Sequence, residues 1–151
     1  MKKIKFLGFL SILSLLVIIP ALIIIKLIPA EVQYKTVKIS GVTVKAEVAD
    51  TSLKRIEGLM SKKYMPDNQG MLFIFNEENY HAIWMMNMSF SIDILWINKD
   101  LEIVDIVEDA QPCKFNCPIY LPDKKAFYVL EVKSGFASQN KLQAGDSISI
   151  D

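Results

Sequence analysis

The stretch FSIDILWINKDLEIVDIV, residues 90–107, contains the two clearest strand patterns of the chain. Residues 90–97 are rich in β-branched and aromatic side chains, which strands favour. Residues 101–107 alternate apolar and polar side chains almost without interruption, as a strand with one buried face does. Residues 98–100, Asn-Lys-Asp, are typical of a short turn. The stretch therefore predicts an antiparallel hairpin.

Weaker strand patterns lie on both sides of this hairpin. Apolar and polar residues alternate through 37–48 on either side of Ser40-Gly41, which predicts a second hairpin with a tight turn. Further strands are predicted at residues 71–75, 81–86, 126–132 and 147–150. Seven or eight short strands indicate a compact, mainly β domain, either barrel-like or a two-sheet sandwich.

Two short helices complete the predicted domain. Residues 50–52 offer oxygen atoms for an N-cap, and the apolar residues that follow at helical spacing predict a helix with one buried face. Those apolar residues are Leu53, Ile56, Leu59 and Met60. Ser134 similarly predicts a short helical piece over residues 135–140.

The first thirty residues have a different composition from the rest. Three lysines, at positions 2, 3 and 5, precede residues 6–25, which carry no charge. Twenty such residues are enough to cross a bilayer as a helix. We expect residues 1–30 to be a membrane anchor rather than a cleaved signal peptide, because the run is long and Ile28 stands where a cleavage site before Ala30 prefers a small residue. Basic residues before the span predict a cytoplasmic N-terminus and a single extracytoplasmic domain, 31–151, in a single-pass protein of the cell membrane.

The net charge of residues 31–151 argues against nucleic acid as a partner. Residues 31–151 contain 13 basic and 17 acidic side chains, a net charge of −4. A mildly acidic domain lacks the basic surface with which proteins bind nucleic acid. We therefore expect the lipid bilayer, through residues 6–25, and an unknown small molecule or envelope protein as partners.

The two cysteines, Cys113 and Cys117, lie close together in the segment QPCKFNCPIY. In an exported domain such a pair predicts a disulfide. A zinc site would need additional Cys or His ligands, and His81 is the only histidine of the chain.

Several short phrases, taken together and in order, resemble the uncharacterised family catalogued as domain of unknown function 192, over roughly residues 36–150. The phrases are Arg55-x-x-Gly58-Leu59-Met60, Gly70-Met71-Leu72-Phe73-x-Phe75, Trp84-Met85-x-Asn87, Asp93-Ile94, the cysteine segment, Val129-Leu130-Glu131-Val132-x-x-Gly135 and Gly145-Asp146. The resemblance implies a compact, mainly β fold and no established reaction. Met86 and Met88 depart from the family pattern, in which lysine and threonine are usual at these two positions.

Two carboxylates interrupt otherwise apolar strands. Asp93 lies between isoleucines, and Glu131 lies between Leu130 and Val132. If either is buried it needs a partner, and Arg55 is the only arginine. We expect a fold-specifying pair of Arg55 and a carboxylate, assisted by Asn87, in preference to a ligand site. The candidate ligand-binding residues are Arg55, Trp84, Met85, Asn87, Asp93 and Glu131.

The methionine-rich segment suggests an alternative metal site. Thioethers suit Cu(I), and the possible ligands are His81, Met85, Met86 and Met88. Strand alternation, however, sends Met85 to one face and the other two methionines to the opposite face. Methionine is also an ordinary filler of cores and grooves, so we predict no metal or other cofactor. The aromatic residues could also stack on a sugar ring. Such a site needs an exposed ring beside a polar side chain, and Trp84 with Asn87 is the nearest match in the sequence.

Catalytic motifs are missing from the sequence: there is no Gly-x-Ser-x-Gly elbow, phosphate loop or His-Glu-x-x-His helix. The sequence favours a non-catalytic module of the cell envelope that binds a small ligand or a protein. Metal handling by the methionine segment is one alternative. The other is an envelope polysaccharide hydrolase, which would require Asp93 and Glu131 in one cleft, about 5–10 Å apart.

Overall fold

The computed structural model describes residues 31–151 and shows a mainly β domain with two short helices. In chain order the strands of this part are β1 (Tyr34–Ile39), β2 (Val42–Ala49), β3 (Gln69–Asn79), β4 (Ile83–Trp84), β5 (Ile92–Ile97), β6 (Ile103–Ala110), β7 (Ile119–Tyr120), β8 (Ala126–Lys133) and β9 (Ile148–Ile150). The helices are α1 (Ser52–Glu57) and α2 (Phe136–Gln139). The predicted fold class, mainly β with two short helices, is confirmed.

Seven strands form one sheet in the order β6-β5-β8-β3-β2-β1-β9, and β4 pairs with β7 separately. The large sheet curls so that the beginnings of its two edge strands, β6 and β9, come within hydrogen-bond distance. The backbone N–H of Ile103 donates to the Asp146 carbonyl at 2.9 Å, and that of Ile148 donates to the Leu101 carbonyl at 2.8 Å. The sheet is therefore a curled half-barrel, which corresponds to the barrel-like one of the two predicted architectures.

Both predicted hairpins are present. The strands β1 and β2 pair antiparallel around Ser40 and Gly41, whose φ angles are 48° and 84°. Two consecutive positive φ angles give the turn a twist that matches the twist of the strands. The strands β5 and β6 form the other hairpin, within residues 90–110. In contrast, β2 and β3 pair parallel, with α1 in the connection between them.

The sheet separates two hydrophobic clusters. Successive side chains of a strand point to opposite faces, so Leu95 of β5 packs with Leu72 and Leu130 in one cluster, while Trp96 packs with Val129 in the other. All six residues of β5 are buried. This strand therefore carries both cores, which explains why its sequence is continuously apolar except at Asp93.

The prediction that α1 has a buried apolar face is wrong. Leu53 and Ile56 are 80% and 64% exposed, and no residue of the helix is buried. The helix is held by its N-cap, where the Thr51 hydroxyl accepts a hydrogen bond from the backbone N–H of Lys54. Leu59 is buried, but it follows the helix, beyond Gly58 at a φ of 49°.

The bounds of β3 and β4 also differ from the predicted ones. The strand β3 extends to Asn79, four residues beyond the predicted end of that strand at residue 75. The strand expected at 81–86 is reduced to Ile83–Trp84, and its partner Ile119–Tyr120 lies in a proline-rich segment without a strand pattern.

The predicted membrane anchor, residues 1–30, lies outside the described residues. Within 31–151, no helix has the length and apolar character needed to span a bilayer.

Candidate functional site

A small cleft with a volume of about 70 Å³ opens between the segment that follows α1 and strand β4. Three strands of the sheet each contribute one buried side chain to its lining: Phe73 from β3, Ile92 from β5 and Glu131 from β8. The other lining residues come from the α1 segment and from the chain around β4: Arg55, Ile56, Glu57, Gly58, Leu59, Met60, Ala82, Ile83, Trp84, Met85 and Met88. The sequence candidates Arg55, Trp84, Met85 and Glu131 thus share one cleft.

Glu131 lies at the centre of β8, which is hydrogen-bonded to β3 on one side and to β5 on the other. Its direct neighbours in the sheet are Met71 and Ile94, both buried. Side chains of directly paired residues project to the same face of a sheet. The Glu131 carboxyl group is therefore held within an apolar surface.

The environment of Glu131 changes its protonation. The residue is 5% exposed, and desolvation by burial raises the pKa of its carboxyl group to about 8. No side chain within residues 31–151 hydrogen-bonds to it. At neutral pH the group is mainly a protonated acid, which can both donate and accept a hydrogen bond. The floor of the cleft therefore offers one neutral polar group without a partner in the described chain.

Arg55 does not pair with either buried carboxylate. One nitrogen of its guanidinium group, Nη1, donates to the carbonyl oxygens of Asp50 and Ile74, each at 2.8 Å. The guanidinium carbon also lies 5.2 Å from the centre of the Phe75 ring. The predicted pair of Arg55 and a carboxylate is therefore wrong: the arginine ties α1 to the end of β2 and to β3 through backbone carbonyls.

Asp93 is fully buried on the opposite face of the sheet from Glu131. It pairs directly with Val132, the next residue along β8, so the two carboxyl groups point away from each other. Three backbone N–H groups donate to Asp93: those of Asp109 at 2.9 Å, Gly135 at 3.2 Å and Ala137 at 2.8 Å. Asp93 thus fixes the chain around α2. The structure does not bring Asp93 and Glu131 into one cleft, as the hydrolase alternative requires.

Asn87 is exposed and has a φ of 58°, a conformation that asparagine adopts more readily than most residues. Its backbone N–H donates to the Cys113 carbonyl at 3.0 Å, and the N–H of Cys113 donates to the Met85 carbonyl at 3.1 Å. The predicted disulfide between Cys113 and Cys117 is confirmed. Asn87 therefore serves a turn that docks the disulfide loop beside the cleft.

The four residues of the metal alternative are not grouped around the cleft. Met85 and Met88 line it, but Met86 and His81 do not. The His81 ring stacks on Phe75 with 3.4 Å between ring centres, and its Nε2 lies 3.0 Å from the Glu77 carbonyl oxygen. Among residues 31–151, no group of three or more His, Cys, Asp or Glu side chains is placed to hold a metal ion.

Three exposed apolar side chains lie in the lining of the cleft or directly beside it. Trp84 is 48% exposed and lies directly opposite Ile119, which is 65% exposed, in the β4–β7 pair. The exposed Ile56 of α1 lines the same cleft. We refer to Ile56, Trp84 and Ile119 as the apolar rim. Sequence patterns did not indicate Ile119, because its two-residue strand forms only through a long-range pairing.

Comparisons with known proteins place this arrangement in a family. A family model described as DUF192, an uncharacterised ACR, matches residues 35–150. A UPF0127 protein of Thermococcus kodakarensis is 32% identical over 107 residues, which cover 70% of this chain and 64% of the relative. A UPF0127 protein of Thermococcus gammatolerans is 33% identical over 107 residues, covering 70% and 65%. The chain thus spans less than two thirds of the length of these relatives.

Two crystal structures are similar to the described domain. One is of a proposed transcription regulator from Sinorhizobium meliloti, with a TM-score of 0.74 and 29% identity, covering 80% of this chain and 96% of that one. The other is of a protein of unknown function from Novosphingobium aromaticivorans, with a TM-score of 0.70 and 25% identity, covering 80% and 89%. The family model spans nearly all of the described residues, and the chain belongs to the uncharacterised DUF192 family.

Proposed function

We propose that this domain is a non-catalytic binding module that receives a side chain of a partner protein in the Glu131 cleft. The observation that carries the proposal is a buried, uncharged carboxyl group without a partner in the described chain, at the floor of a cleft with an apolar rim. Burying a polar group without a hydrogen bond is unfavourable. Since no fully buried side-chain oxygen of residues 31–151 lacks a partner, the Glu131 oxygens still reach the cleft, and a group that closes over them must supply a hydrogen bond.

The size of the cleft favours a protein over a free small molecule. Pockets that enclose small molecules usually measure about 300–1,000 Å³. The Glu131 cleft, at about 70 Å³, has room for the end of one side chain. Protein interfaces often centre on such a pocket, filled by one anchor residue and surrounded by contacts that exclude water.

The charges beside the cleft favour an uncharged anchor. A carboxylate would be repelled by Glu131 as soon as Glu131 ionised, and a cation would lie near the guanidinium group of Arg55. An amide or hydroxyl group can both donate to and accept from the protonated Glu131. The anchor we propose is an apolar stem that ends in an amide or hydroxyl group.

The apolar rim supplies the surrounding contacts. Trp84 and its neighbour Ile119 present apolar surface beside Ile56, and tryptophan is enriched among the residues that dominate binding energy. Trp84 is adjacent to Ile119 in the β4–β7 pair and shares the lining of the cleft with Ile56, so a partner over the cleft can cover all three side chains. The apolar rim would thus pack against the part of the partner protein that surrounds the anchor side chain.

For location we propose a membrane-tethered, extracytoplasmic domain, anchored by residues 6–25. The Cys113–Cys117 disulfide supports this location, because disulfides persist mainly outside the cytoplasm. Protease added to intact spheroplasts should digest the domain. Protection of the domain until lysis would contradict the proposed orientation.

We do not propose a role in transcription for this domain, although the similar Sinorhizobium meliloti protein is described as a transcription regulator. The net charge of −4 over residues 31–151 gives this domain no electrostatic attraction to nucleic acid. Its buried carboxyl group and apolar rim suit a protein partner better.

Photo-crosslinking in cells tests the proposal. Benzoylphenylalanine in place of Ile119 should give a discrete protein adduct, whereas the same group in place of Leu53, which is exposed but does not line the cleft, should not. The adduct should persist in Glu131→Gln, which keeps a neutral hydrogen-bonding group, and disappear in Glu131→Leu. Equal adducts from both positions, or an adduct unaffected by Glu131→Leu, would contradict the proposal.

A further inference from the structure

A second and larger depression lies away from the Glu131 cleft. It has a volume of about 340 Å³ and is lined by the start of β2, the loop before β3, the end of β8 and α2. Phe136, one of its lining residues, belongs to the hydrophobic cluster on the other side of the sheet from Phe73 and Ile92 of the cleft. We call this depression the amide groove. It shares no residue with the cleft, and its volume falls in the range of small-molecule sites, about 300–1,000 Å³.

The lining of the amide groove is rich in uncharged hydrogen-bonding groups. Asn68, Gln139 and Asn140 contribute carboxamides, and Thr43 contributes a hydroxyl. The Asn140 side chain donates to the Phe136 carbonyl, while Thr43, Asn68 and Gln139 are exposed. A carboxamide can donate twice and accept twice. The groove therefore presents several free donors and acceptors at once.

The charged side chains of the groove neutralise each other. Lys133 and Asp67 form an ion pair with 2.6 Å between Nζ and Oδ1. No other charged residue is among the lining residues. An anionic ligand such as a phosphate would have to compete with Asp67 for Lys133, so the groove favours a neutral ligand.

Hydrogen bonds hold the backbone on both walls of the amide groove. Asp93 accepts hydrogen bonds from the N–H groups of Gly135 and Ala137, which bracket the start of α2. On the opposite wall, the Asn68 carbonyl accepts the N–H of Lys45 at 2.9 Å. Because the backbone of both walls is held before binding, only the side chains of the groove need to be ordered when a ligand arrives.

From this geometry we infer that the amide groove is a second binding site, and that its ligand is a neutral polyhydroxylated compound, a short saccharide. Each sugar hydroxyl both donates and accepts, which matches amides better than it matches paired charges. The half-buried Val42, with the small exposed part of Phe136, provides apolar surface for the C–H groups of the sugar ring. The inference does not depend on the proposed role of the Glu131 cleft.

The test uses the purified full chain in detergent, oxidised, with chitobiose and maltose as neutral disaccharide probes. Ligand-observed NMR and a thermal shift should detect binding of at least one disaccharide, while inorganic phosphate at the same concentration should give no effect. Asn68→Ala combined with Gln139→Ala should weaken the binding about tenfold, through the loss of two hydrogen bonds. Both side chains are exposed, so the variant should fold.

Matched variants separate this site from the cleft. Gln143→Ala removes an exposed glutamine outside the groove and should leave saccharide binding unchanged. Trp84→Ala changes only the apolar rim and should also leave it unchanged. Absence of binding by both disaccharides at tens of millimolar, equal binding by the double variant, or stronger binding of phosphate would overturn the inference.

Discussion

Asp93 and Glu131 are two buried carboxyl groups on adjacent strands of one sheet, and they have opposite environments. Three backbone N–H groups donate to Asp93, whereas burial alone acts on Glu131 and raises its pKa to about 8. Asp93 therefore stabilises the fold around α2. Glu131 lacks such partners within the described residues and faces a cleft. A buried carboxyl group points to a binding site when the fold itself does not use its hydrogen-bonding capacity.

The largest effect should follow removal of the Asp93 carboxylate. Asp93→Ala leaves three buried or half-buried N–H groups unpaired, and we expect the free energy of unfolding to fall by about 3–5 kcal/mol. Urea denaturation of the purified protein, followed by the fluorescence of the buried Trp96, measures the change. Asp93→Asn, which keeps one acceptor, should lose less. A loss below about 1 kcal/mol for Asp93→Ala would mean that these bonds do not hold α2.

Glu131 should make stability depend on pH in a definite direction. The folded protein holds a proton that the unfolded chain releases between its usual pKa of 4.5 and the folded value of about 8. The stabilising contribution is therefore complete below pH 4.5 and is lost as the pH rises towards 8. The slope is at most about 1.4 kcal/mol per pH unit.

Denaturation of the purified protein at several pH values in this window measures the slope. Glu131→Gln removes the ionisable group while keeping its shape, so its stability should depend much less on pH. Parallel pH profiles for the two proteins would show that the Glu131 carboxyl group ionises in the folded state as it does in water.

Replacement of Arg55 should have a smaller effect than replacement of Asp93. Its guanidinium group donates to two backbone carbonyls, so Arg55→Ala should cost about 1.5–3 kcal/mol. Because Arg55 does not pair with either carboxylate, its effect should add to that of Glu131→Gln. A double-mutant cycle measures this, and a coupling energy above about 1 kcal/mol would reveal a direct interaction instead.

The parts of the fold that sequence could predict are those set by local patterns. Ser40-Gly41 between alternating residues gives a hairpin, and Cys113 with Cys117 gives a disulfide, because each depends on neighbours in the chain. The exposure of Leu53 and Ile56 was not predictable, because helical spacing does not reveal whether another element covers the helix. The parallel pairing of β2 with β3 and the short β4–β7 pair depend on contacts distant in sequence.

The same limit applies to the candidate site. Sequence identified both Asp93 and Glu131, since a charge within an apolar strand is visible in the pattern. It did not reveal that the two side chains point to opposite faces, because that follows from the register of β5 against β8. It also paired Arg55 with a carboxylate on chemical grounds, whereas the actual acceptors are backbone carbonyls, which no sequence pattern marks.

The most direct test of the account is the titration of the Glu131 side chain in the folded protein. Carbon-13 NMR of the side-chain carboxyl carbons, with Glu131→Gln to assign the resonance, follows its ionisation between pH 4 and 9. We expect a midpoint near the raised pKa of about 8, well separated from the midpoints of the exposed glutamates. A midpoint near the usual value of 4.5 would contradict it, because the carboxyl group would then be charged and solvated at neutral pH.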